Sequence, residues 1–261
     1  MNNNVINKNR KVYIGGNWKC NGDFSFIKKF EEELASLKNN DLSKVDIAIF
    51  PTSLHIANLS SNKELAHITF GSQNISQYGN GAYTGEISPK LLLDINIDTT
   101  LIGHSERRNL FNESEEVLSS KLKNAELNNF KIVYCIGEKL EDRESNKTME
   151  VIIDQLNTVK SSIKCWENIV IAYEPVWAIG TGKTATPEQA EEVHCNIRKW
   201  LSENIDSSMS ERTRIIYGGS VNGDNCDKLI SQKNIDGFLV GGASLKPEFK
   251  KIVNSYEKKL C

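Results

Sequence analysis

The chain has 261 residues, 39% of them hydrophobic and 25% charged, with a formal net charge of −2, a composition ordinary for a globular protein and sufficient for a large core. The near-neutral balance, without a basic run, excludes an electrostatic footprint for nucleic acid or an anionic membrane surface, so small-molecule partners are favoured. The longest apolar runs, such as Asn168 to Tyr173, fall far short of the roughly 20 residues that span a bilayer.

In chain order, MNNNVINKNR comes first. It is Asn-rich and lacks the apolar region of a secretory signal, which predicts a short disordered arm over 1–10, a single domain over 11–261, and a cytoplasmic protein. Cys20, Cys135, Cys165, Cys195, Cys226 and Cys261 show no C-x-x-C spacing and read as free thiols.

From there, short β-branched runs alternate with segments of helical period. Val12 to Ile14 reads as a strand, Phe24 to Leu37 as a helix, and Val45 to Phe50, Ile68 to Gly71 and Thr99 to Ile102 as strands. A helix over Ser114 to Asn128, a strand over Lys131 to Ile136, a helix over Thr148 to Ile163 and a strand over Ile169 to Tyr173 follow. Pro187 to Asn204 opens with the clearest start signal: Thr186 as N-cap, Pro187 at the first helical position, and Gln189 closing a capping box. Ala190, Val193, Ile197 and Leu201 then form one apolar stripe. Arg214 to Tyr217 and Gly237 to Val240 complete eight strand candidates.

The strands are continuous apolar stretches, as expected of parallel strands covered by helices. An open doubly wound sheet and a closed barrel both fit such repeats, and eight strands favour the (β/α)8 TIM barrel. Ile14 to Lys19 does not supply the G-x-G-x-x-G turn of a dinucleotide fold.

Reactive groups in such a barrel gather at the C-terminal ends of the strands. Reading only those positions selects Asn17 and Lys19; His104, Ser105 and Glu106; Glu174; Gly218, Gly219 and Ser220; and Gly241 and Gly242. The two glycine clusters follow strands seven and eight, where barrels commonly bind a phosphate; away from that placement they would read as plain turns. Glu174, between Tyr173 and Pro175, is either a solvated or ion-paired strand-end carboxylate or a base in partly apolar surroundings. His104 is either structural or a group that polarises a carbonyl or shuttles a proton. Lys19 either lies over Trp18 or attracts an anionic substrate. No His, Asp, Glu or Cys pattern has metal-ligand spacing, so the residues point to metal-free acid/base chemistry on a phosphorylated small molecule.

Gly16-Asn17-Trp18-Lys19, Gly103 to Arg108, Ala172 to Thr186, Tyr217 to Val221 and Val240 to Leu245 together resemble the triosephosphate isomerase family, in order and through nearly the whole chain after about the first ten residues. The resemblance implies interconversion of dihydroxyacetone phosphate and D-glyceraldehyde 3-phosphate through an enediolate, in glycolysis and gluconeogenesis, with no cofactor. It implies Glu174 as base, neutral His104 as hydrogen-bond donor to the developing oxyanion, and Lys19 and Asn17 as positive charge and orienting group. Gly180, Ser220, Gly241 and Gly242 would hold the phosphate, with Ser105 and Glu106 in support; Glu106 is either the partner of Lys19 or part of a plain surface ion pair. Ala178 to Gly182 would swing as a lid between the hinges Pro175-Val176-Trp177 and Lys183-Thr184-Ala185. The resemblance also implies a homodimer, built through the loop Gln73 to Ser88, with Thr84 reaching the other subunit and Glu86 and Arg107 paired across the interface. Read by itself, Asn80-Gly81 in that loop would suggest a hairpin turn.

Cys20 stands where many members carry methionine, and is read either as a reactive interface thiol or as a small buried hydrophobe. Two rivals remain: a phosphosugar aldolase using Lys19 as a Schiff base, and a barrel kept as a non-catalytic scaffold.

Overall fold

A computed structural model describes residues 10–178 and 185–259. The strands are β1 (Val12–Asn17), β2 (Val45–Phe50), β3 (Thr69–Phe70), β4 (Thr99–Ile102), β5 (Lys131–Ile136), β6 (Ile169–Tyr173), β7 (Arg214–Tyr217) and β8 (Gly237–Val240). They pair in parallel in the order β3-β2-β1-β8-β7-β6-β5-β4. Ser72 closes the ring between β3 and β4. Its N–H donates to the Thr99 carbonyl (2.9 Å), its carbonyl accepts from Leu101 N–H (2.9 Å), and its hydroxyl meets Thr100 Oγ1 at 2.8 Å. The barrel expected from the sequence is therefore present, with β1 three residues longer than its apolar run and β3 shorter.

The helices are α1 (Phe24–Ser36), α2 (Ser53–Ser60), α3 (Pro89–Asp94), α4 (Ser105–Leu110), α5 (Glu115–Leu127), α6 (Leu140–Glu144), α7 (Thr148–Ser162), α8 (Pro187–Asn204), α9 (Ser207–Arg212), α10 (Cys226–Ile230) and α11 (Phe249–Asn254). Helix α8 starts as its sequence dictates: Thr186 Oγ1 accepts from Gln189 N–H (3.2 Å) and Gln189 Oε1 from Thr186 N–H (3.0 Å). Its stripe Ala190, Val193, Ile197 and Leu201 is buried against the strands. Ser114 and Asn128 flank α5 as its caps. No helix among the described residues is long and apolar enough to cross a membrane.

The core has two shells. One large cluster fills the space between helices and sheet. A second, comprising Tyr13, Ala48, Phe50, Leu101, Val133, Cys135, Val170, Ala172, Ile216 and Leu239, fills the barrel interior. Side chains alternate along a strand, so steps of two from these interior residues toward the C-terminal end reach Asn17, Thr52, Gly103, Gly137, Glu174, Gly218 and Gly241. Four of these seven positions at the top of the interior are glycines, which leaves the mouth hollow.

The opposite end is closed by charge pairs. Asp46 pairs with Lys11 and Arg214, whose guanidinium lies 5.1 Å from the Tyr13 ring centre. Between α8 and β8, the fully buried Asp236 accepts from Arg10 Nε (2.8 Å), Arg198 Nη2 (2.5 Å) and Ile215 N–H (2.9 Å). Arg10, assigned to the arm by the sequence, is thus tied to the barrel; residues 1–9 of that arm lie outside the described residues.

Candidate active site

Asn17, the last residue of β1, is buried, and its Oδ1 accepts from Lys19 N–H (3.0 Å). Lys19 has φ +52°, a left-handed conformation that costs a non-glycine residue on the order of 1 kcal/mol or more. Gln73 helps hold it there by donating from Nε2 to the Lys19 and Phe50 carbonyls, each at 2.8 Å. The bend turns the lysine over the mouth, where Nζ meets Glu106 Oε1 at 2.6 Å. Lys19 therefore does not lie over Trp18, and Glu106 is its partner. Lys19 passes 3.6 Å from where a Cβ of Gly241 would stand, so its stem borders the glycine pocket.

His104 caps the start of α4: its Nδ1 accepts from Glu106 N–H at 3.2 Å. A backbone N–H can only donate, so Nδ1 is unprotonated and the neutral ring carries its proton on Nε2. Nε2 lies 3.1 Å from Glu174 Oε1. The other carboxylate oxygen accepts from Ser105 N–H at 3.0 Å. Glu174 and His104 are 2% and 6% exposed, so both sit on the cavity wall rather than in bulk solvent.

Two glycines make room for Glu174. A Cβ on Gly218 would stand 2.8 Å from Glu174 Cγ, and one on Gly137 would stand 1.7 Å from the Glu174 carbonyl oxygen. Below Glu174, burial, reinforced by its carboxylate, pushes the Cys135 thiol well up, so it stays protonated and inert.

A cavity of about 370 Å³ opens between these residues, lined by Asn17, Lys19, His104 and Glu174 on one side and Ser220, Gly241 and Gly242 on the other. The structure thus brings together every selected site residue except Gly180, which with Gly182, Lys183 and Thr184 lies outside the described residues. Of the lid and its far hinge, only Ala178 and Ala185 are described, and both are buried. Among the described residues no group of three or more His, Cys, Asp or Glu side chains is arranged to hold a metal ion.

The sequence reading missed Glu138. It is fully buried two residues past β5, and its Oε1 accepts from the Trp177 indole N–H (2.9 Å) and the Tyr173 hydroxyl (3.1 Å). Arg143 joins it at 3.4 Å and stacks 4.9 Å from the Trp177 ring centre. Burial, then the Glu138 carboxylate, keeps the Tyr173 hydroxyl protonated as a donor. The strand-end rule would have found Glu138 had β5 been followed one residue past its glycine. Gln73 carried no comparable signal, because its role depends on carbonyls at the ends of β1 and β2.

In the loop Gln73 to Ser88, Thr84 and Glu86 are exposed, and the rings of Tyr78 and Tyr83 stack at 4.2 Å. Asn80-Gly81 does not form a hairpin; Asn80 Oδ1 instead accepts from the Ser88 hydroxyl, which also caps α3. Arg107 pairs with Glu113 of its own chain and lies over Phe111. Cys20 is exposed, which removes its reading as a buried hydrophobe.

Fold and site together define a β/α-barrel enzyme whose mouth sets a carboxylate, a neutral imidazole and an ammonium around a glycine-walled cavity. A model of the triosephosphate isomerase family matches residues 12–256. The chain is also 46% identical over 246 residues to the cytosolic triosephosphate isomerase of Oryza sativa subsp. japonica, covering 94% of this chain and 97% of the rice protein. The chain belongs to the triosephosphate isomerase family.

Proposed function

We infer that the chain interconverts dihydroxyacetone phosphate and D-glyceraldehyde 3-phosphate, the step that links the two trioses in glycolysis and gluconeogenesis. The observation that carries this reading is the pairing of Glu174 with a histidine whose tautomer is set by Glu106 N–H. A base and a neutral donor stand within 3.1 Å of each other on the wall of an anion pocket.

Glu174 takes a proton from one carbon of the bound triose and returns it to the neighbouring carbon. His104 donates from Nε2 to the oxygen that gains charge in the enediolate, and Lys19 adds positive potential there. Asn17 orients the oxygens, and Glu106 holds the ammonium in place. Ser220, Gly241, Gly242 and Gly180 grip the phosphate, and that remote binding energy drives lid closure, which excludes water. In the resting arrangement Glu174 occupies two donors, Ser105 N–H and His104 Nε2–H. A substrate oxygen that replaces it at Nε2 engages the imidazole and frees the base in one exchange. The Lys19–Glu106 ion pair supports an electrostatic role for the lysine over Schiff-base chemistry, which requires a free amine.

The exposed tip of the Gln73 to Ser88 loop, residues 78–86, supports a homodimer in which Thr84 enters the partner's site region and Arg107 meets Glu86 of the partner. Sedimentation of the purified chain tests it, a purely monomeric species counting against it. The rice relative is named cytosolic, which supports a cytoplasmic enzyme.

A coupled assay of triose phosphate isomerisation decides the reading. Wild type turns over substrate, and Glu174→Gln lowers kcat by about 10²- to 10⁴-fold, the usual contribution of a general base. An inactive wild type, or an undiminished variant, would overturn it.

A further inference from the structure

We propose that Gln155, in the middle of α7, is a positioning residue for the base: its side-chain amide takes the place of a missing strand and sets the height of Glu174. The proposal rests on the assignment of Glu174 as the base.

The β5–β6 ladder continues past both strands. Glu174 N–H donates to the Ile136 carbonyl (2.7 Å) and Val176 N–H to the Glu138 carbonyl (3.1 Å). Backbone groups alternate sides along a strand, so if Ile136 and Glu138 face β6, Cys135 and Gly137 face β4. There β4 has ended: its pairing with β5 stops at Ile102 opposite Tyr134, and Gly103 turns away with φ +78° to begin the His104 segment. Two side chains fill the gap. Arg108 Nη2 donates to the Cys135 carbonyl (3.2 Å). Two residues further on, Gln155 Oε1 accepts from Gly137 N–H (2.8 Å) and Nε2 donates to the Gly137 carbonyl (3.2 Å). A primary amide has one acceptor and one donor side by side, as a neighbouring strand presents them, and it matches both groups of a single residue.

Gly137 is also where β5 presses on the base, since the space a Cβ would take is filled by the Glu174 carbonyl. Gln155 thus clamps the outer side of a residue whose inner side abuts the Glu174 backbone, and Gln155 and Glu174 both line a cavity of about 200 Å³. Without the amide, Gly137 N–H and C=O lose their partners in a partly buried place, and the segment that carries both Glu174 and Val176 is free to shift. Three of the four proposed phosphate-binding residues, Ser220, Gly241 and Gly242, follow β7 and β8, so a shift at β5–β6 leaves them in place.

The effect is therefore expected to be larger in turnover than in phosphate recognition, three of whose four groups stay fixed. Misplacing a catalytic group by about 1 Å can cost about 100-fold. For a fraction of that shift, Gln155→Met should lower kcat about tenfold. Competitive inhibition by inorganic phosphate should stay within about twofold of wild type. A folded Gln155→Met with wild-type kcat would overturn the proposal, as would equal losses in kcat and phosphate affinity. Gln155→Glu supplies a second reading. The introduced carboxylate accepts from Gly137 N–H but repels its carbonyl, whereas the protonated acid can do both, so kcat relative to wild type should rise as pH falls from about 8 to about 5.5. A flat ratio would count against the proposal. Wild-type activity and its loss in Glu174→Gln, measured alongside, separate the two ideas: with those intact, failure of the Gln155 variants falls on the positioning role alone, while an inactive wild type removes both.

Discussion

The two ends of the barrel are both rich in charge, yet they use it differently. At the N-terminal end, Asp236 is saturated: it accepts from Arg10, Arg198 and Ile215 N–H, while Arg198 also donates to the Ser210 and Thr213 carbonyls and to Asn234. At the C-terminal end, Lys19 and Glu106 are 28% and 39% exposed, and the carboxylate of Glu174 rests on donors that border a hollow. A charge whose partners are all built in contributes to holding the fold. A charge that faces a cavity can exchange its partner for a ligand, and only that kind can act on one. The contrast follows from the top interior layer, where glycines stand in for the side chains that fill the barrel below.

That contrast can be broken by substitution at either end. Asp236→Asn should destabilise by about 3–5 kcal/mol, the usual cost of leaving a buried cation unpaired, with kcat of the folded fraction unchanged. Urea unfolding and a turnover assay measure the two; a loss of turnover without loss of stability would erase the distinction. His104→Gln should do the reverse, lowering kcat by about 10²- to 10³-fold while stability stays within about 1 kcal/mol.

Acid should act on His194, which packs α8 against the ends of β6 and β7. His194 is fully buried against Tyr173 and Tyr217, and its Nδ1–H donates to the Asn234 carbonyl at 3.3 Å. Burial above all pushes its pKa down from 6.5 to about 4; Arg198 and Lys259 add to this, against Asp236. The unfolded chain therefore binds a proton that the folded chain refuses between these values. Stability from this group is full above about pH 6.5 and declines as pH falls toward 4, by on the order of 3 kcal/mol in all. His194→Gln should flatten that part of a stability-against-pH curve; an unchanged slope would argue that other groups set it. The smallest effect is expected at the start of α8, where Thr186→Ala should cost about 1 kcal/mol by removing one half of the capping box, read as a lowered midpoint in thermal unfolding.

Much of this architecture was legible from local pattern. Apolar runs located all eight strands, Thr186-Pro187-Glu188-Gln189 located the start of α8 to the residue, and counting just past the strands picked out Asn17, His104 and Glu174. Such features depend on neighbours within a few positions, whose periodicity and capping chemistry are written along the chain. The Lys19 backbone, the buried Glu138 and the amide clasp of Gln155 could not be read that way. Their partners lie 54, 39 and 18 residues away in Gln73, Trp177 and Gly137, and meet them only when the barrel closes. The order of strands along the chain and the choice of candidate site residues thus belong to the sequence itself. Which donor faces which acceptor, and with which proton, was decided by the tertiary structure, because hydrogen bonds of about 3 Å tolerate little error and only the closed ring holds both partners still.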